Sequence, residues 1–256
     1  MNIKLISLVV PAYKQEKTII KDLQNLDKVL KTLPYKYEIV VVVDGFVDKT
    51  FTIIKAQSSK FTNIRLFGYE KNRGKGSAIK YGVEKANGDV IGFLDAGMDI
   101  DPSEISLMLD LMDWNKADIV VGSKLHPESK VNYPFWRKIL SWGYRTITHI
   151  LFGFSVRDTQ VGFKIFKRQV AKEVFAKIIV KRFAFDIEVL TVAYKLGFTR
   201  IYEAPIKLNF SKANSITSGN FWKTIFLMLW DTLAVFYRLK IIHYYDKTVS
   251  YKVKSL

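Results

Sequence analysis

The chain of 256 residues contains no cysteine, which excludes disulfide bonds and thiolate metal sites and fits a reducing compartment. It also lacks a long uncharged hydrophobic run. The most apolar segment, Phe221–Tyr237, contains Lys223 and Asp231 and falls short of the roughly 20 apolar residues that a spanning helix needs. No internal repeat is evident. The first four residues lead directly into a strand-like run, so we expect no secretory signal peptide.

Acidic residues are too few to balance the basic ones, since 24 Asp and Glu face 40 Lys and Arg and leave a net charge of +16. Such an excess implies an anionic partner: nucleic acid, a membrane surface or a phosphorylated substrate. Neither a concentrated basic stripe nor a nucleic-acid-binding motif is present, so we expect no nucleic-acid partner. In the second half the cations lie among aromatic residues, which favours an anionic membrane surface. The alternative is a basic surface over an aromatic core.

Strand and helix signals alternate through the first 122 residues. This alternation predicts an α/β fold, a mostly parallel sheet with helices on both faces. Strands are expected at 5–10, 38–43, 63–67, 90–94 and 118–121, and helices at 16–31, 50–56, 75–86 and 102–114. After a loop at 123–135, helices are expected at 135–151, 169–178, 186–196 and 221–237, with strands at 162–166 and 200–209.

The most informative segment is Ile91–Pro102, an apolar run that ends in Asp95, Asp99 and Asp101. The carboxyl end of a buried parallel strand is where α/β proteins bind ligands. Asp101 precedes a proline, which is typical of a helix N-cap. Asp95 and Asp99 have no such explanation. They are the predicted ligands of a hard divalent cation, Mg²⁺ or Mn²⁺, that holds a diphosphate.

Three other segments at strand ends or helix starts carry polar or small residues. Val9–Glu16 offers an aromatic platform and backbone groups for a base, and Asp44 follows the second strand. Asn72–Ala78 opens a helix, where its glycines permit close backbone approach while Lys75 and the helix N-terminus favour anions. This segment has neither the spacing of a P-loop nor the third glycine of a dinucleotide fingerprint.

Taken in order, these motifs resemble the inverting nucleotide-sugar glycosyltransferases of family 2, which have the GT-A fold, a Rossmann-like nucleotide-diphospho-sugar transferase architecture. The second half resembles the dolichyl- and polyprenyl-phosphate hexose synthases, and Arg182–Leu190 resembles the dolichyl-phosphate glucosyltransferase branch. The resemblance covers about residues 5–215. The other motifs that carry it are Gly122–Lys124, Arg137-Lys138 with Ser141, and Arg157–Phe166.

The resemblance implies metal-dependent transfer of glucose or mannose from a UDP- or GDP-sugar to a polyprenyl or dolichyl phosphate. Asp95, Asp99, Arg137, Asp158 and Gln160 are the expected catalytic residues. The nucleotide sugar would contact Pro11, Ala12, Tyr13, Glu16, Asp44, Lys75, Gly76, Asp95, Ala96 and Gly97. The acceptor phosphate would contact Arg137, Arg157, Lys164 and Lys212. Asp158 and Gln160 would line the region between sugar and acceptor, with loop capping as the alternative. Asp186 and Glu188 are expected to have an active-site role, and the alternative is a first helical turn, where the helix dipole favours acidic residues.

The chain departs from the family pattern at two positions. Val43 replaces the first aspartate of a doubled pair, and Gly97 replaces the second carboxylate of an Asp-x-Asp metal motif. Asp99 lies two residues further on and is the expected substitute ligand. Two alternatives stay open at this point. One is a glycosyltransferase with a saccharide or protein acceptor, which would need a carboxylate base; the other is a catalytically degenerate protein that binds nucleotide sugar or lipid.

We expect residues 1–215 to form the glycosyltransferase domain and residues 216–256 to form a C-terminal helical extension. The helices at 135–151 and 221–237 combine aromatic and aliphatic residues with cations, so they are predicted to lie in the membrane interface without crossing it. The expected location is therefore peripheral, on the cytoplasmic face of a membrane, with a separate membrane subunit as a further possible partner.

Overall fold

The computed structural model describes residues 1–131, 135–153, 156–182, 184–208 and 221–246, without the side chains of 135–141 and 221–224. Nine strands are described: β1 (Leu5–Ala12), β2 (Lys36–Asp44), β3 (Ile64–Tyr69), β4 (Val90–Leu94), β5 (Ile119–Ser123), β6 (Lys130–Val131), β7 (Phe163–Lys167), β8 (Ile201–Pro205) and β9 (Lys207–Leu208). Eight α-helices are described: α1 (Ile19–Leu30), α2 (Thr50–Ala56), α3 (Lys75–Lys85), α4 (Ile105–Trp114), α5 (Phe135–Phe152), α6 (Arg168–Lys177), α7 (Phe185–Lys195) and α8 (Phe221–Lys240).

Seven strands form one sheet in the order β3-β2-β1-β4-β7-β5-β8. All its neighbouring strands are parallel except β7, which pairs antiparallel with β4 and with β5. The predicted mostly parallel sheet is confirmed. Because β7 runs against its neighbours, the residues just before it lie at the edge where β4 and β5 end. This strand therefore brings the segment before Phe163 beside Asp95.

Helices cover both faces of the sheet, as the alternating signals predict. The alternation along β1 sends Leu8 and Val10 into one apolar cluster with α1, α2 and α4, and Val9 into a second with α3, α6 and α7. On α1 the apolar stripe of Ile19, Leu23, Leu26 and Leu30 is fully buried. Burial of each such side chain contributes about 1.5–3 kcal/mol.

The element bounds differ from the sequence expectation mainly in the second half. The expected strand at 200–209 is two strands, β8 in the main sheet and β9, which pairs with the short β6 inside the predicted loop. A two-residue strand carries too little periodicity to be detected from sequence. The proposed domain boundary at residue 215 lies outside the described residues and stays a prediction.

Polar contacts to α5 and α7 help to fix helix α8 to the rest of the fold. The hydroxyls of Thr232 on α8 and Tyr144 on α5 are 2.8 Å apart. Arg238 donates to the buried carboxylate of Glu188 on α7, which also accepts a hydrogen bond from Tyr245. Among the described helices, none combines the length and the apolar character that a bilayer crossing requires.

Candidate active site

A cleft of about 680 Å³ opens at the edge where β1, β2 and β4 end. Its walls come from these strand ends, from the start of α3 and from α8. The lining residues are Pro11, Ala12, Tyr13, Gln15, Asp44, Asn72, Gly74, Lys75, Asp95, Ala96, Asp99, Arg182, Leu227, Met228 and Asp231. We call this the main cleft. A smaller side cavity of about 170 Å³ shares Asp95 and Asp99 with it and is also lined by Lys124, Gln160 and Gly162.

Asp95 stands at the centre of the main cleft, directly after β4. Its two carboxylate oxygens lie 2.7 and 2.8 Å from the Lys75 ammonium. Its backbone N–H donates to the carbonyl of Gly162 at 3.1 Å, and its side chain lies over the α-carbon of that glycine. The antiparallel β7 thus supplies the surface against which Asp95 is held, while α3 supplies its cation.

The loop after Asp95 is held by a residue from α1. Gly97 has a φ of +93°, which favours glycine, and its N–H donates to the carboxylate of Asp22 at 3.2 Å. Burial raises the pKa of Asp22, while hydrogen bonds from Thr18 and Gly97 act in the opposite direction. Gly97 therefore serves the geometry of the turn at the position where the family motif has a carboxylate. Asp99 follows and lines the main cleft.

Asp101 is a helix cap, as the sequence predicts. Its Oδ1 accepts the N–H of Ser103 at 2.9 Å, and Pro102 opens the single 3₁₀ turn before α4. This hydrogen bond holds the pKa of Asp101 below its usual value, against the opposing effect of burial. The capping geometry accounts for this third carboxylate.

A buried ion pair lies behind Lys75. Lys164 on β7 is completely buried, and its ammonium donates to Asp186 on α7 and, at 2.7 Å, to the carbonyl of Val161. Burial lowers the pKa of Lys164 and raises that of Asp186, although each attracts the other. For Lys75 burial opposes the charge, yet Asp95 and Asp186 together keep its pKa above the usual value.

Asp44 organises the loop that leads into α3. Its carboxylate accepts the backbone N–H groups of Arg73 and Gly74, at 2.7 and 3.0 Å, and the Asn72 side chain at 3.0 Å. Gly74 in turn approaches the carbonyl of Lys181, which a Cβ atom would meet at 2.4 Å. Asp44 lines the main cleft as expected, but most of its hydrogen-bonding capacity is used within the protein.

Most residues predicted to contact the nucleotide sugar line the main cleft: Pro11, Ala12, Tyr13, Asp44, Lys75, Asp95 and Ala96. Three others have different surroundings. Glu16 is exposed, and its carboxylate accepts the Lys49 N–H at 3.0 Å. Gly76 packs against Phe185, and Gly97 donates to Asp22. These three are therefore involved in packing or local structure.

The residues predicted between sugar and acceptor separate into two environments. Gln160 lines the side cavity and donates to the Met228 sulfur at 3.2 Å. Asp158 is buried and accepts the Lys124 N–H at 2.9 Å, with the Lys124 ammonium 3.8 Å away. Asp158 thus holds the loop at Lys124, a lysine that lines the side cavity, and its predicted catalytic role stays a prediction.

Within the part of the chain that the structure describes, the residues predicted to contact the acceptor phosphate do not form one cluster. Lys164 requires a correction, because it is fully buried and bound to Asp186, which leaves its ammonium inaccessible to a lipid phosphate. Arg157 is exposed, and its backbone N–H donates to Glu203. The side chain of Arg137 and the whole of Lys212 lie outside the described residues, so their predicted roles stay predictions.

Sequence reasoning missed several residues of the cleft. Arg182 lies near Asp231 of α8, whose carboxylate pKa is raised by burial and lowered by the arginine. Met228 on α8 also lines the main cleft. The sequence pattern of α8 shows its apolar face but does not indicate that the other side of the helix covers a cleft. Asp22 lies on an amphipathic helix, where a single acidic residue gives no sign that it contacts the cleft loop.

Comparison with known proteins places this geometry in a family. Residues 7–175 match the family described as "Glycosyl transferase family 2". The chain is 34% identical to the dolichyl-phosphate β-glucosyltransferase ALG5D of Trichomonas vaginalis over 92% of its own length and 75% of that protein. It is also 34% identical to the human dolichyl-phosphate β-glucosyltransferase, over 86% of this chain and 71% of the human protein.

Solved structures share the fold at low sequence identity. Mannosyl-3-phosphoglycerate synthase from Rubrobacter xylanophilus superposes with a TM-score of 0.68 at 14% identity, covering 96% of this chain and 77% of that one. Glucosyl-3-phosphoglycerate synthase from Mycobacterium tuberculosis, solved with Mn²⁺, UDP and its glucosylated product, gives 0.65 at 16% identity over 91% and 79%. The predicted GT-A fold is confirmed. The sheet order, the match over residues 7–175 and the identity to these relatives lead to one conclusion: the chain belongs to glycosyl transferase family 2.

Proposed function

We propose that the chain transfers glucose from a nucleotide sugar to dolichyl phosphate or a related polyprenyl phosphate, with inversion at the anomeric carbon. The observation that carries the proposal is the main cleft, which Asp95, Asp99 and Lys75 line at the carboxyl edge of the sheet. The chain's relatives are named dolichyl-phosphate β-glucosyltransferases, which supports glucose as the sugar and a lipid phosphate as the acceptor. UDP-glucose is the donor to test first, since a structural neighbour holds UDP.

Two carboxylates and a lysine give the cleft the chemistry that a metal–diphosphate complex needs. Mg²⁺ is commonly bound through one or two carboxylates together with substrate phosphates and water, which fits Asp95 and Asp99 on one wall. Mn²⁺ in a structural neighbour supports a divalent cation of this kind. When bound, the cation stabilises the negative charge that develops on the departing nucleotide. Lys75 and the N-terminus of α3 add positive charge at the same place.

The donor's base and ribose fit the wall formed by Pro11, Ala12 and Tyr13. Tyr13 is exposed and offers an aromatic face, while Pro11 and Ala12 end a buried strand. Asp44 lines the same cleft and holds the 72–74 loop beside this wall. These contacts orient the nucleotide so that the sugar faces the side cavity, which Gln160 and Lys124 line.

A lipid monophosphate needs little help to become a nucleophile. Its second pKa is about 6, so near neutral pH it is mostly dianionic and requires no strong general base. What it requires is positive charge, and arginine suits bidentate phosphate recognition. The candidate contacts of the acceptor phosphate are Arg137, Arg157, Lys212 and Lys124, which lines the side cavity. A saccharide hydroxyl would instead need a positioned carboxylate base.

We further propose peripheral association with an anionic membrane through α5 and α8. Large apolar residues on these helices are exposed: Trp142 and Ile150 on α5, and Phe226, Trp230, Leu233 and Tyr237 on α8. On α8 the four recur at helical spacing and form one stripe, which we call the α8 stripe. The net charge of +16 adds electrostatic attraction to such a surface. The proposed side is the cytoplasmic face.

The decisive experiment offers labelled UDP-glucose, UDP-galactose, GDP-mannose and GDP-glucose with dolichyl or undecaprenyl phosphate. Label from UDP-glucose is expected to enter the organic phase. No transfer from any donor, with nucleotide binding retained, would indicate a degenerate binding protein instead. Label that moves only to a saccharide would replace the lipid acceptor.

The metal site is tested by Asp95→Asn with Asp101→Asn as the matched control. Asp95→Asn is expected to abolish the Mn²⁺-dependent part of UDP binding measured by calorimetry. Asp101→Asn should bind as the wild type does, because asparagine caps a helix about as well as aspartate. Unchanged metal dependence in Asp95→Asn would reject the assignment.

A further inference from the structure

Four charged side chains form two ion pairs between the main cleft and the core. The Asp95 carboxylate contacts the Lys75 ammonium through both oxygens. Lys75 is also attracted by Asp186, which is bound directly to Lys164. The side chains of Lys164 and Asp186 are 0% and 4% exposed, whereas those of Lys75 and Asp95 are 24% and 41% exposed. The inner pair is therefore inaccessible to solvent and the outer pair borders the cleft.

The proposed metal site creates a physical problem for Lys75. Oxygens of Asp95 that coordinate a divalent cation are no longer free to hold the ammonium in its present geometry. A largely buried cation that loses its counter-ion is costly, because desolvation is then uncompensated. The cation would also repel Lys75. Without a second carboxylate, metal binding at Asp95 would displace the lysine or be weakened by it.

Asp186 is placed to solve this problem. It lies on α7, next to Phe185, whose ring centroid is 5.6 Å from the Lys75 ammonium. Its carboxylate acts on Lys75 from the core, so it does not compete for the cleft. Lys164 fixes Asp186 in turn, and the carbonyl of Val161 fixes Lys164. Both partners of this inner pair are thus held by rigid secondary structure.

We propose that Asp186 is a positioning residue that retains the Lys75 ammonium when Asp95 turns to the divalent cation, and that Lys164 holds Asp186 in this role. The inference rests on the proposed metal site at Asp95 and Asp99. It distinguishes the inner pair from an ordinary structural salt bridge, which stabilises the fold without affecting metal affinity. Asp186 and Lys164 need not touch the substrate.

The test compares Mn²⁺ binding in variants of the inner pair. The first variant is Asp186→Asn, which leaves two lysines with one carboxylate. The second, Asp186→Leu with Lys164→Met, replaces the buried pair by apolar residues of similar size, a change that proteins often tolerate without loss of stability. Asp118→Asn is the matched control, because Asp118 is also buried and paired, with Lys167 and Arg200, but precedes β5 at the opposite edge of the sheet.

Calorimetric titration of Mn²⁺ at saturating UDP is expected to show dissociation constants raised about tenfold in both inner-pair variants, as for other residues that support metal ligands. UDP binding in EDTA should change much less, since Lys75 then keeps Asp95 as its partner. Asp118→Asn should match the wild type in both measurements. Thermal melts establish that each variant is folded.

The outcomes separate the two proposals. Unchanged Mn²⁺ affinity in a folded double variant would overturn the role of Asp186. Equal losses of UDP binding with Mn²⁺ and in EDTA would reduce the inner pair to a structural role. Wild-type UDP binding that does not respond to Mn²⁺ would instead reject the metal site in the proposed function.

Discussion

Gly162 lies so close to Asp95 that a Cβ atom at position 162 would come within 1.9 Å of the Asp95 carboxylate oxygen. No side chain fits there unless Asp95 moves. Gly162→Ala is therefore expected to shift the carboxylate away from Lys75 and to weaken Mn²⁺-dependent UDP binding at least about tenfold, since placement of a metal ligand is sensitive to shifts of this size. Calorimetry measures the loss. Gly143→Ala is the matched control, because a Cβ at that helical position meets nothing within 4 Å; a similar loss there would contradict the steric explanation.

The stability of the fold is expected to depend on pH through Asp118. Burial alone would raise the pKa of this carboxyl, but hydrogen bonds from Arg200 and Lys167 hold it below its usual value of 3.8. A carboxyl whose pKa is lowered by folding contributes stability above its unfolded pKa and loses it as the pH falls through its folded pKa. Asp118→Asn should thus lower the free energy of unfolding by about 1–3 kcal/mol at pH 7. Urea titrations should show that this difference shrinks as the pH falls below 3.8, and a constant difference would exclude this origin.

Binding of the acceptor phosphate is expected to depend on Arg137. Arg137→Ala should raise the Michaelis constant for polyprenyl phosphate by about tenfold or more, because charge-assisted bidentate contacts are lost, and leave that for the sugar nucleotide nearly unchanged. Arg145→Ala on the same helix is the control, since Arg145 is an exposed arginine for which no role in acceptor binding is predicted. Equal effects on both substrates would assign Arg137 a structural role and favour a saccharide acceptor.

Membrane binding is expected to require the α8 stripe. Trp230 is 62% exposed, and its burial in an interface is worth about 1.5–3 kcal/mol. Trp230→Ser should release protein from anionic vesicles in sedimentation assays, whereas Trp114→Ser should not, although Trp114 is exposed at the end of α4 on the other face of the sheet.

The salt dependence of vesicle binding is a second test of the proposed membrane surface. Binding to anionic vesicles should fall as the salt concentration rises, because charges at the surface are screened. Protein that resists high-salt and alkaline washes would contradict peripheral association. Protein that never sediments with anionic vesicles would leave the α8 stripe to a partner subunit.

Local sequence patterns were sufficient to locate the cleft. An apolar run that ends in carboxylates predicts Asp95 and Asp99 at the carboxyl edge of a parallel sheet, and a glycine-rich helix start predicts Lys75 beside them. All three line the main cleft. The cap at Asp101 followed from the proline and serine after it. These features depend on residues close together in the chain, and the alternation of strands and helices fixes which edge they share.

The parts that sequence reasoning missed depend on contacts between distant segments. The sequence predicts Lys164 as a contact of the acceptor phosphate, but the antiparallel placement of β7 beside α7 buries it against Asp186. A buried lysine is rare, so the sequence gives no signal for this placement. Asp22 is separated from Gly97 by three strands and two α-helices. Helix α8 also covers the main cleft. The sequence pattern of this helix is dominated by its exposed apolar stripe, so the residues that line the cleft could not be predicted from it.

Helix α8 presents Leu227, Met228 and Asp231 to the main cleft while the α8 stripe faces outward. One helix therefore lines the cleft and carries the surface proposed to bind the membrane. Thermodynamic linkage makes any coupling between the two surfaces reciprocal. If lipid binding changes the affinity for the nucleotide by some factor, nucleotide binding changes the affinity for lipid by the same factor. Any coupling through this helix would make the donor-loaded and the empty protein partition differently between membrane and solution.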